Sequence, residues 1–269
     1  MRSFILSLPV KLRRPVIVGL TVVAAFAVSL TTRACLNAEQ LVADSTWIGA
    51  VYGTLGTLYS VLLAFVVAGV WQSFSSAEAA ISGEANALTD LVFLLCRIST
   101  EKTAGVREST KSYAADVVEK WNSVAVATRE NRPVEEINIA SSYALLDAIL
   151  AAKPQDQQEL GIYAQALSLT EDWLDARRSR LRGAQGNTAS ALWSLLVAGA
   201  FVLFILHGLF VMHSWVVWGL LLSCFSFIVG LSFYLIFSLD DPPTCRMSAG
   251  PEPFKWLLQN FDRSDGLGI

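Results

Sequence analysis

The segment 175–193, DARRSRLRGAQGNTASALW, holds the densest group of side chains that could bind an anion. Its cationic residues are Arg177, Arg178, Arg180 and Arg182. One interpretation is an anchor that keeps this end of the next membrane helix on the cytoplasmic side. A second is an electropositive vestibule that concentrates anions at the inner mouth of a pore, and a third is a site for lipid headgroups. The sequence leaves these three alternatives open.

Two other ionisable residues lie where a charge could be functional. Glu84 follows a long apolar run and is close to Asn86. We interpret Glu84 as a solvated carboxylate or as the ion-pair partner of one of the four arginines, with contact to a ligand or ion as the alternative. His207 lies within an apolar run, where ionisable side chains are candidates for function. Its position near the end of that run favours a neutral histidine bonded to a neighbour.

The sequence contains no recognisable metal or catalytic site. The acidic pair 240–241 precedes two prolines that stop a helix, and two adjacent carboxylates supply too few ligands for calcium. Two histidines, and four cysteines without a C-x-x-C spacing, argue against zinc and a disulfide framework. Nucleophile-elbow, phosphate-loop and HExxH motifs do not occur. We therefore predict no enzyme, no catalytic residue, no metal and no cofactor.

The composition indicates an integral membrane protein. Of the 269 residues, 54% are hydrophobic and 16% are charged, whereas soluble domains have about 45–50% and about 25%. The apolar excess lies in four uncharged runs, which we predict as spans over 15–32, 48–71, 190–212 and 215–239. The net charge of -3 and the lack of a basic patch with aromatics exclude a nucleic-acid partner. The bilayer is the expected partner.

The spans define the remaining organisation of the chain. We predict a cytoplasmic N-terminus (1–14), an external loop (33–47), a helical cytoplasmic domain (72–189) and a cytoplasmic tail (240–269). The basic N-terminus and the arginines of 177–182 place both termini inside. The first run resembles a signal peptide, but Arg33 replaces the small residues of a cleavage site, so we predict an uncleaved helix.

The second apolar run and the residues after it predict one long helix. No proline interrupts 48–97, so the span continues into water as an amphipathic extension. Small residues recur along the span at helical spacing, as in membrane helices that pack closely. The candidate pore or packing face consists of Gly53, Gly56, Ser60 and Ala64. We expect this face to pack inside the bundle, so that a pore forms on an axis between copies.

The middle of the chain predicts further helices at about 106–128, 134–152 and 155–182. No stretch alternates with a period of two, so we expect no β-sheet. The tail holds a short helix at 254–261, which lies either on the membrane surface or on the middle domain. The fold class is therefore all-α, with four spans and a helical domain inserted between the second and third.

Several motifs occur in an order that resembles the bacterial bestrophin-like family of membrane proteins. They are G-x-L-Y-x-x-L-L-A-F-V-V at 56–67, V-W-Q-x-F at 70–74, E-A-N-A-L at 84–88, Y-x-x-x-V-V-x-x-W at 113–121, A-R-R-x-R-L at 176–181 and L-W at 192–193. The family-motif positions are Phe65, Trp71, Glu84, Trp121, Trp193 and Asp240. The usual D-x-P-F-x-G element reads LDDPPTC at 239–245, so calcium gating is not implied.

The resemblance implies a four-span, homo-oligomeric anion channel of the chloride type in a bacterial inner membrane. In bestrophins the second span lines the pore, and the polar candidates on it here are Thr54, Thr57, Tyr59 and Ser60. The alternative is a non-conducting membrane scaffold or sensor with a cytoplasmic helical interaction domain. In that case the long second helix transmits a signal between the membrane and the cytoplasmic domain.

Overall fold

The protein is almost entirely helical. The computed structural model describes residues 9–35, 45–95, 97–98, 100–129, 132–134, 136–183, 190–210, 214–239 and 250–267. Within these ranges the chain forms nine α-helices and no β-strand, which confirms the all-α prediction. The helices are α1 (Val10–Cys35), α2 (Ser45–Leu95), α3 (Thr100–Glu119), α4 (Trp121–Arg129), α5 (Ile139–Ala151), α6 (Gln157–Gly183), α7 (Ser190–Gly208), α8 (Trp215–Leu239) and α9 (Glu252–Leu267).

The chain divides into two compact units. The first unit contains Met1–Gln72 and Asn187–Asp240, and the second contains Ser73–Gly186 and Asp241–Ile269. Helix α2 contributes to both units and runs for 51 residues without interruption. The sequence prediction of one continuous helix is therefore confirmed, and its physical basis is the absence of proline along its whole length.

In the first unit, α1 packs against both α7 and α8 through small residues. A Cβ atom added at Gly208 on α7 would lie 2.5 Å from the backbone oxygen of Ser29, and one added at Gly230 on α8 would lie 3.1 Å from the Cα of Val18. Small residues allow this close approach, which is the usual packing device of membrane helices. The prediction that the small face of α2 packs inside the bundle is wrong, because a Cβ at Gly53 or Gly56 would meet nothing within 4 Å.

Three of the helices are long and apolar enough to cross a membrane, judged by length and composition. They are Leu12–Cys35, Thr46–Leu95 and Trp215–Leu239, whereas Leu192–Gly208 is apolar but shorter. Helix α7 ends at Gly208 and not at 212 as predicted. Its last turn tightens, because the backbone N–H groups of Leu209 and Phe210 donate to the carbonyls three residues before them. The count of four spans stays a prediction.

The core of the second unit is formed by α2, α3, α5, α6 and α9. Its largest fully buried side chains are Trp173, Tyr113, Phe254, Leu88, Leu91, Leu95, Leu145 and Ile149. Helix α9 inserts Phe254, Leu257 and Phe261 into this core. Of the two placements expected for the tail helix, the structure shows the one on the middle domain, and the helix is longer than the predicted 254–261.

Several helix boundaries in the second unit differ from the prediction. The single helix expected over 106–128 is instead α3 and α4, which are separated by a turn at Lys120. Helix α5 begins at Ile139 and not at 134, because Asn138 has a left-handed backbone with φ of 64°. Helix α6 begins near the predicted residue 155, where the N–H of Glu159 donates to the Asp156 carboxylate at 2.7 Å.

Candidate functional site

A buried ion pair lies in the core of the second unit. The side chain of Glu84 on α2 is fully buried, and that of Arg180 on α6 is 4% exposed. The guanidinium binds the carboxylate through two nitrogens, with Nε to Oε2 at 2.6 Å and Nη2 to Oε1 at 3.2 Å. The phenol of Tyr113 on α3 also donates to Glu84 Oε1. Three helices therefore meet at one carboxylate.

Aromatic rings surround the Glu84–Arg180 pair. The rings of Trp173 and Tyr113 meet edge to face, with centroids 5.2 Å apart. The Arg180 guanidinium carbon lies 5.8 Å from the ring centroid of Phe254 on α9. Because these rings are fully buried, they exclude water from the pair and strengthen its electrostatic attraction. The tail helix therefore helps to enclose the ion pair.

The buried environment of the Glu84–Arg180 pair fixes the protonation states of Tyr113 and Arg180. Burial raises the pKa of Tyr113, and the negative charge of Glu84 raises it further, so the phenol keeps its proton. Burial alone would lower the pKa of Arg180, but the charge and hydrogen bonds of Glu84 outweigh burial and raise it. The arginine is therefore a permanent cation, and the carboxylate oxygens are already engaged by protein donors.

This arrangement suits a structural tether better than a catalytic or ligand-binding site. The side chain of Glu84 is fully buried and both of its carboxylate oxygens accept hydrogen bonds within the chain, so neither oxygen faces solvent where a substrate could bind. The prediction that Glu84 pairs with one of the four arginines is confirmed, and the alternative of a solvated carboxylate is wrong. Among the residues that the structure describes, no group of histidine, cysteine and acidic side chains could hold a metal ion.

The structure does not bring the four arginines together. Arg180 is buried against Glu84, and Arg177 donates to the backbone oxygen of Ile137 at 3.0 Å. Arg178 is exposed and pairs with Asp175 at 2.9 Å. Arg182 is exposed as well. Arg180 therefore cannot contribute to an exposed vestibule, and the vestibule prediction applies to the exposed members of the set.

The membrane-side part of α2 has three distinct faces, because successive residues rotate by about 100°. One face is buried and carries Tyr59, whose hydroxyl donates to the backbone oxygen of Leu196 at 3.2 Å. A second face carries the small residues Gly53, Gly56, Ser60 and Ala64, which this chain leaves uncovered or half-covered. The third face carries the exposed large side chains Leu58, Val61 and Phe65. The small face and the large apolar face are therefore both available to lipid or to another chain.

The remaining family-motif positions have varied environments. Trp71 is exposed, Trp121 packs against the core of the second unit, and the ring of Trp193 lies 6.2 Å from that of Phe233. Asp240 lies outside the described residues. The polar candidates Thr54, Thr57 and Ser60 all donate to the carbonyl four residues earlier in α2. Their hydroxyl protons are thus satisfied within the helix, and only oxygen lone pairs remain for a solute.

Sequence reasoning did not identify the role of Tyr113. Its motif position was recognised, but the residue also fits the apolar stripe of α3, and nothing local indicates a partner on another helix. Trp173 was not singled out either, although its ring is fully buried and its Nε1 atom has no hydrogen-bond partner within the described part of the chain. Contacts between residues 84, 113 and 180 link distant segments, so a single sequence does not encode them in its periodicity.

Comparisons with known proteins support the same architecture. A crystal structure of a mutated bacterial Bestrophin homolog from Klebsiella pneumoniae is similar to this chain, with a TM-score of 0.61, 15% identity, and coverage of 93% of this chain and 98% of that chain. At this identity the likeness shows the fold. No curated protein sequence matches the chain significantly. The family model of the Bestrophin-like domain matches residues 19–254, and with its long apolar helices the chain is a membrane protein that belongs to the Bestrophin-like family.

Proposed function

We propose that this protein is a homo-oligomeric channel for small anions of the chloride type in a bacterial inner membrane. The chain crosses the membrane four times, with both termini and the second unit in the cytoplasm. Its α1 helix is an uncleaved first span, and the shorter α7 is the third. Family membership and the bestrophin fold support this proposal, because the resemblance to bestrophins implies a four-span, oligomeric channel.

The observation that carries the proposal is the uncovered small face of α2. Helix α2 buries one face inside the chain, whereas the described residues leave Gly53, Ser60 and Ala64 exposed and Gly56 half-buried. Such a face can line a narrow path around an oligomer axis, since small residues leave room for a solute. The hydroxyls of Thr54, Thr57 and Ser60 can donate to an anion on this path when they rotate away from the helix carbonyls to which they otherwise donate.

The exposed arginines support an anion and not a cation as the solute. Arg178 and Arg182 lie at the end of α6, and cations near a pore mouth raise the local anion concentration. Charge reversal at both positions should lower anion flux most strongly at low ionic strength, where screening is weakest. If the double reversal leaves flux unchanged in properly folded protein, these arginines do not form a vestibule.

The test is anion flux from proteoliposomes that contain the purified full-length protein. Ser60→Leu narrows the small face, and Val61→Leu is its matched control on the large apolar face. We expect flux above that of empty liposomes, a loss of flux in Ser60→Leu, and little change in Val61→Leu. If the oligomeric, folded protein gives no flux above the empty control, the channel proposal is wrong. Sensitivity to Val61→Leu alone would assign the path to the other face.

A non-conducting scaffold or sensor is the second candidate function. It is favoured by large apolar side chains that the second unit leaves exposed, among them Tyr143, Leu160 and Trp256, which a partner protein could cover. In this case α2, which contributes to both units, carries the signal. Absence of flux together with a specific partner recovered by crosslinking would favour this candidate, whereas crosslinking without a partner would count against it.

A further inference from the structure

His207 is a buried ionisable residue to which the proposed channel assigns no role. It lies at the C-terminal end of α7, in the first unit, and is 4% exposed. Within the described part of the chain, its Nε2 atom has no hydrogen-bond partner. An unsatisfied polar atom in an apolar interior costs free energy, so its retention calls for a physical reason.

Aromatic rings form the immediate surroundings of His207. Its ring centroid lies 5.6 Å from that of Trp218 on α8, 6.1 Å from that of Tyr52 on α2, and 6.2 Å from that of Phe210. The indole N–H of Trp218 also donates to the backbone oxygen of His207 at 3.4 Å. These contacts suit a neutral imidazole, which packs as an aromatic ring.

The permanent cation of Arg33 contacts the same aromatic group. The guanidinium carbon of Arg33, at the end of α1, lies 3.9 Å from the ring centroid of Trp215 and 5.6 Å from that of Trp218. Arg33 also donates to the backbone oxygen of Phe210 at 3.3 Å. Trp218 therefore contacts both Arg33 and His207, and Phe210 links the same two residues.

Among the described residues around His207, the one charged group is the guanidinium of Arg33. Helix α1 contributes Arg33, α2 contributes the neutral Tyr52, and α8 contributes the two tryptophans. The described residues of the first unit contain no aspartate or glutamate. An imidazolium at 207 would therefore be a second cation beside Arg33, in an apolar environment and without a described carboxylate to balance it.

We propose that Arg33, His207, Trp215 and Trp218 form an acid-sensitive latch that joins the end of α1 to the ends of α7 and α8. In the closed latch, the imidazole of His207 is neutral and packs against the aromatic rings. Protonation of His207 opens the latch, because the imidazolium is stabilised by water and repelled by Arg33. The protein would thereby sense acidity through the first unit, whether or not it conducts anions.

The histidine content of the chain makes the test specific. The sequence has only two histidines, His207 and His213, and the pKa of a free histidine side chain is about 6.5. We would measure unfolding of the full-length protein in detergent micelles at pH 7.5 and 5.5. If the neutral, buried His207 takes up a proton when the protein unfolds, the equilibrium constant for unfolding rises about tenfold as the pH falls from 7.5 to 5.5.

Variants at both histidines and at Arg33 separate the latch from a general effect of acid. We expect His207→Phe to abolish the tenfold change and His213→Gln to keep it. Arg33→Met should reduce the change because it removes the repelling charge, whereas Arg14→Met, an exposed arginine on the same helix, should keep it. If His207→Phe does not fold, the acid sensitivity of His207→Gln and of Arg33→Met tests the latch instead.

Two outcomes would overturn the latch. One is acid sensitivity that persists in His207→Phe or His207→Gln. The other is acid sensitivity of unfolding that does not follow the latch residues, either because His213→Gln removes it or because Arg33→Met leaves it unchanged. Hydrogen exchange at pH 5.5, corrected for the intrinsic rate, gives an independent measurement. It should rise at the ends of α1 and α7 and not in α5.

Discussion

The two units of the molecule differ in the buried polar contacts that join their helices. In the first unit, two buried hydroxyl groups donate to backbone carbonyls of neighbouring helices, Ser29 to Phe204 and Tyr59 to Leu196. In the second unit, a buried charge pair between Glu84 and Arg180 joins α2 to α6. The first unit relies on neutral hydrogen bonds and close backbone approach, and the second on an ion pair enclosed by large rings.

The proposed topology, with the first unit in lipid and the second in water, accounts for this difference. Lipid is as apolar as leucine, so helices in a bilayer gain little from burying apolar area and associate through small residues and neutral hydrogen bonds. A domain in water gains from burying large side chains such as Trp173 and Phe254. A buried ion pair is tolerated there only if both partners are satisfied, as they are at Glu84.

The largest expected effect follows from breaking the ion pair. Arg180→Met leaves the carboxylate of Glu84 buried without its cation, which should destabilise the protein by about 3–5 kcal/mol. Thermal unfolding in detergent micelles would measure the change. Adding Glu84→Gln to Arg180→Met removes the uncompensated charge, so the double variant should recover most of the lost stability.

The exposed Arg178 provides the matched control for Arg180. It lies on the same helix and pairs with Asp175, but its side chain is 58% exposed and solvent screens the pair. Arg178→Met should therefore change the stability by less than about 0.5 kcal/mol. If Arg180→Met behaved like Arg178→Met, the Glu84–Arg180 pair would not be what holds α2 to α6.

The second expected effect tests close packing in the first unit. Gly208→Ala places a Cβ 2.5 Å from the backbone oxygen of Ser29, and a backbone atom cannot move aside as a flexible side chain can. Overpacking of this kind should cost about 1–3 kcal/mol in unfolding experiments. Gly53→Ala is the control, since its Cβ would meet nothing within 4 Å. Equal losses in both variants would contradict the packing of α1 on α7.

Much of the helical architecture could be predicted from the sequence because it follows from local rules. The absence of proline across α2 indicated one continuous helix, and the uncharged run at 215–239 coincides with α8. Asn138 shows the limit of such rules. Its left-handed backbone shortened α5, and asparagine adopts that conformation often enough to end a helix but too rarely to predict where.

The candidate site was harder to predict because its members lie far apart in the chain. The carboxylate at 84 and the arginine at 180 were both singled out, yet four arginines were equally good partners before the structure distinguished them. The small residues of α2 raise a different problem. Their spacing indicates close packing, but among the described glycines the closest approaches of another helix backbone occur at Gly208 on α7 and Gly230 on α8, because spacing does not specify a partner.

The third prediction concerns Asp116, which lies near the surface of the second unit. Burial alone would raise the pKa of its carboxyl, but hydrogen bonds from Lys120, Ser141 and Asn138 outweigh burial and lower the pKa. The stabilisation is therefore present above the unfolded pKa of about 3.9 and is lost as the pH falls through the lower folded value. Asp116→Asn should cost about 1 kcal/mol at pH 6.

Acid should remove the difference between the wild type and Asp116→Asn. Unfolding measured at pH 6 and again below pH 4 should show the gap shrinking, because protonated Asp116 no longer attracts Lys120. Asp175→Asn is the control, since its carboxylate is 73% exposed and pairs only with the exposed Arg178 among the contacts described. A gap that stays constant with pH would show that the Asp116 contacts do not depend on its charge.

The smallest expected effect is the loss of a single neutral hydrogen bond between helices of the first unit. Ser29 is fully buried, and its hydroxyl donates to the backbone oxygen of Phe204 at 2.7 Å. Ser29→Ala should cost only about 0.6 kcal/mol, the average for such bonds between membrane helices, since the carbonyl at 204 lies within α7 and keeps its helical environment. Ser60→Ala is the control, because Ser60 donates to Gly56 of its own helix and joins no second helix. If Ser29→Ala cost as much as Arg180→Met, polar contacts would hold both units equally, and the contrast between the units would fail.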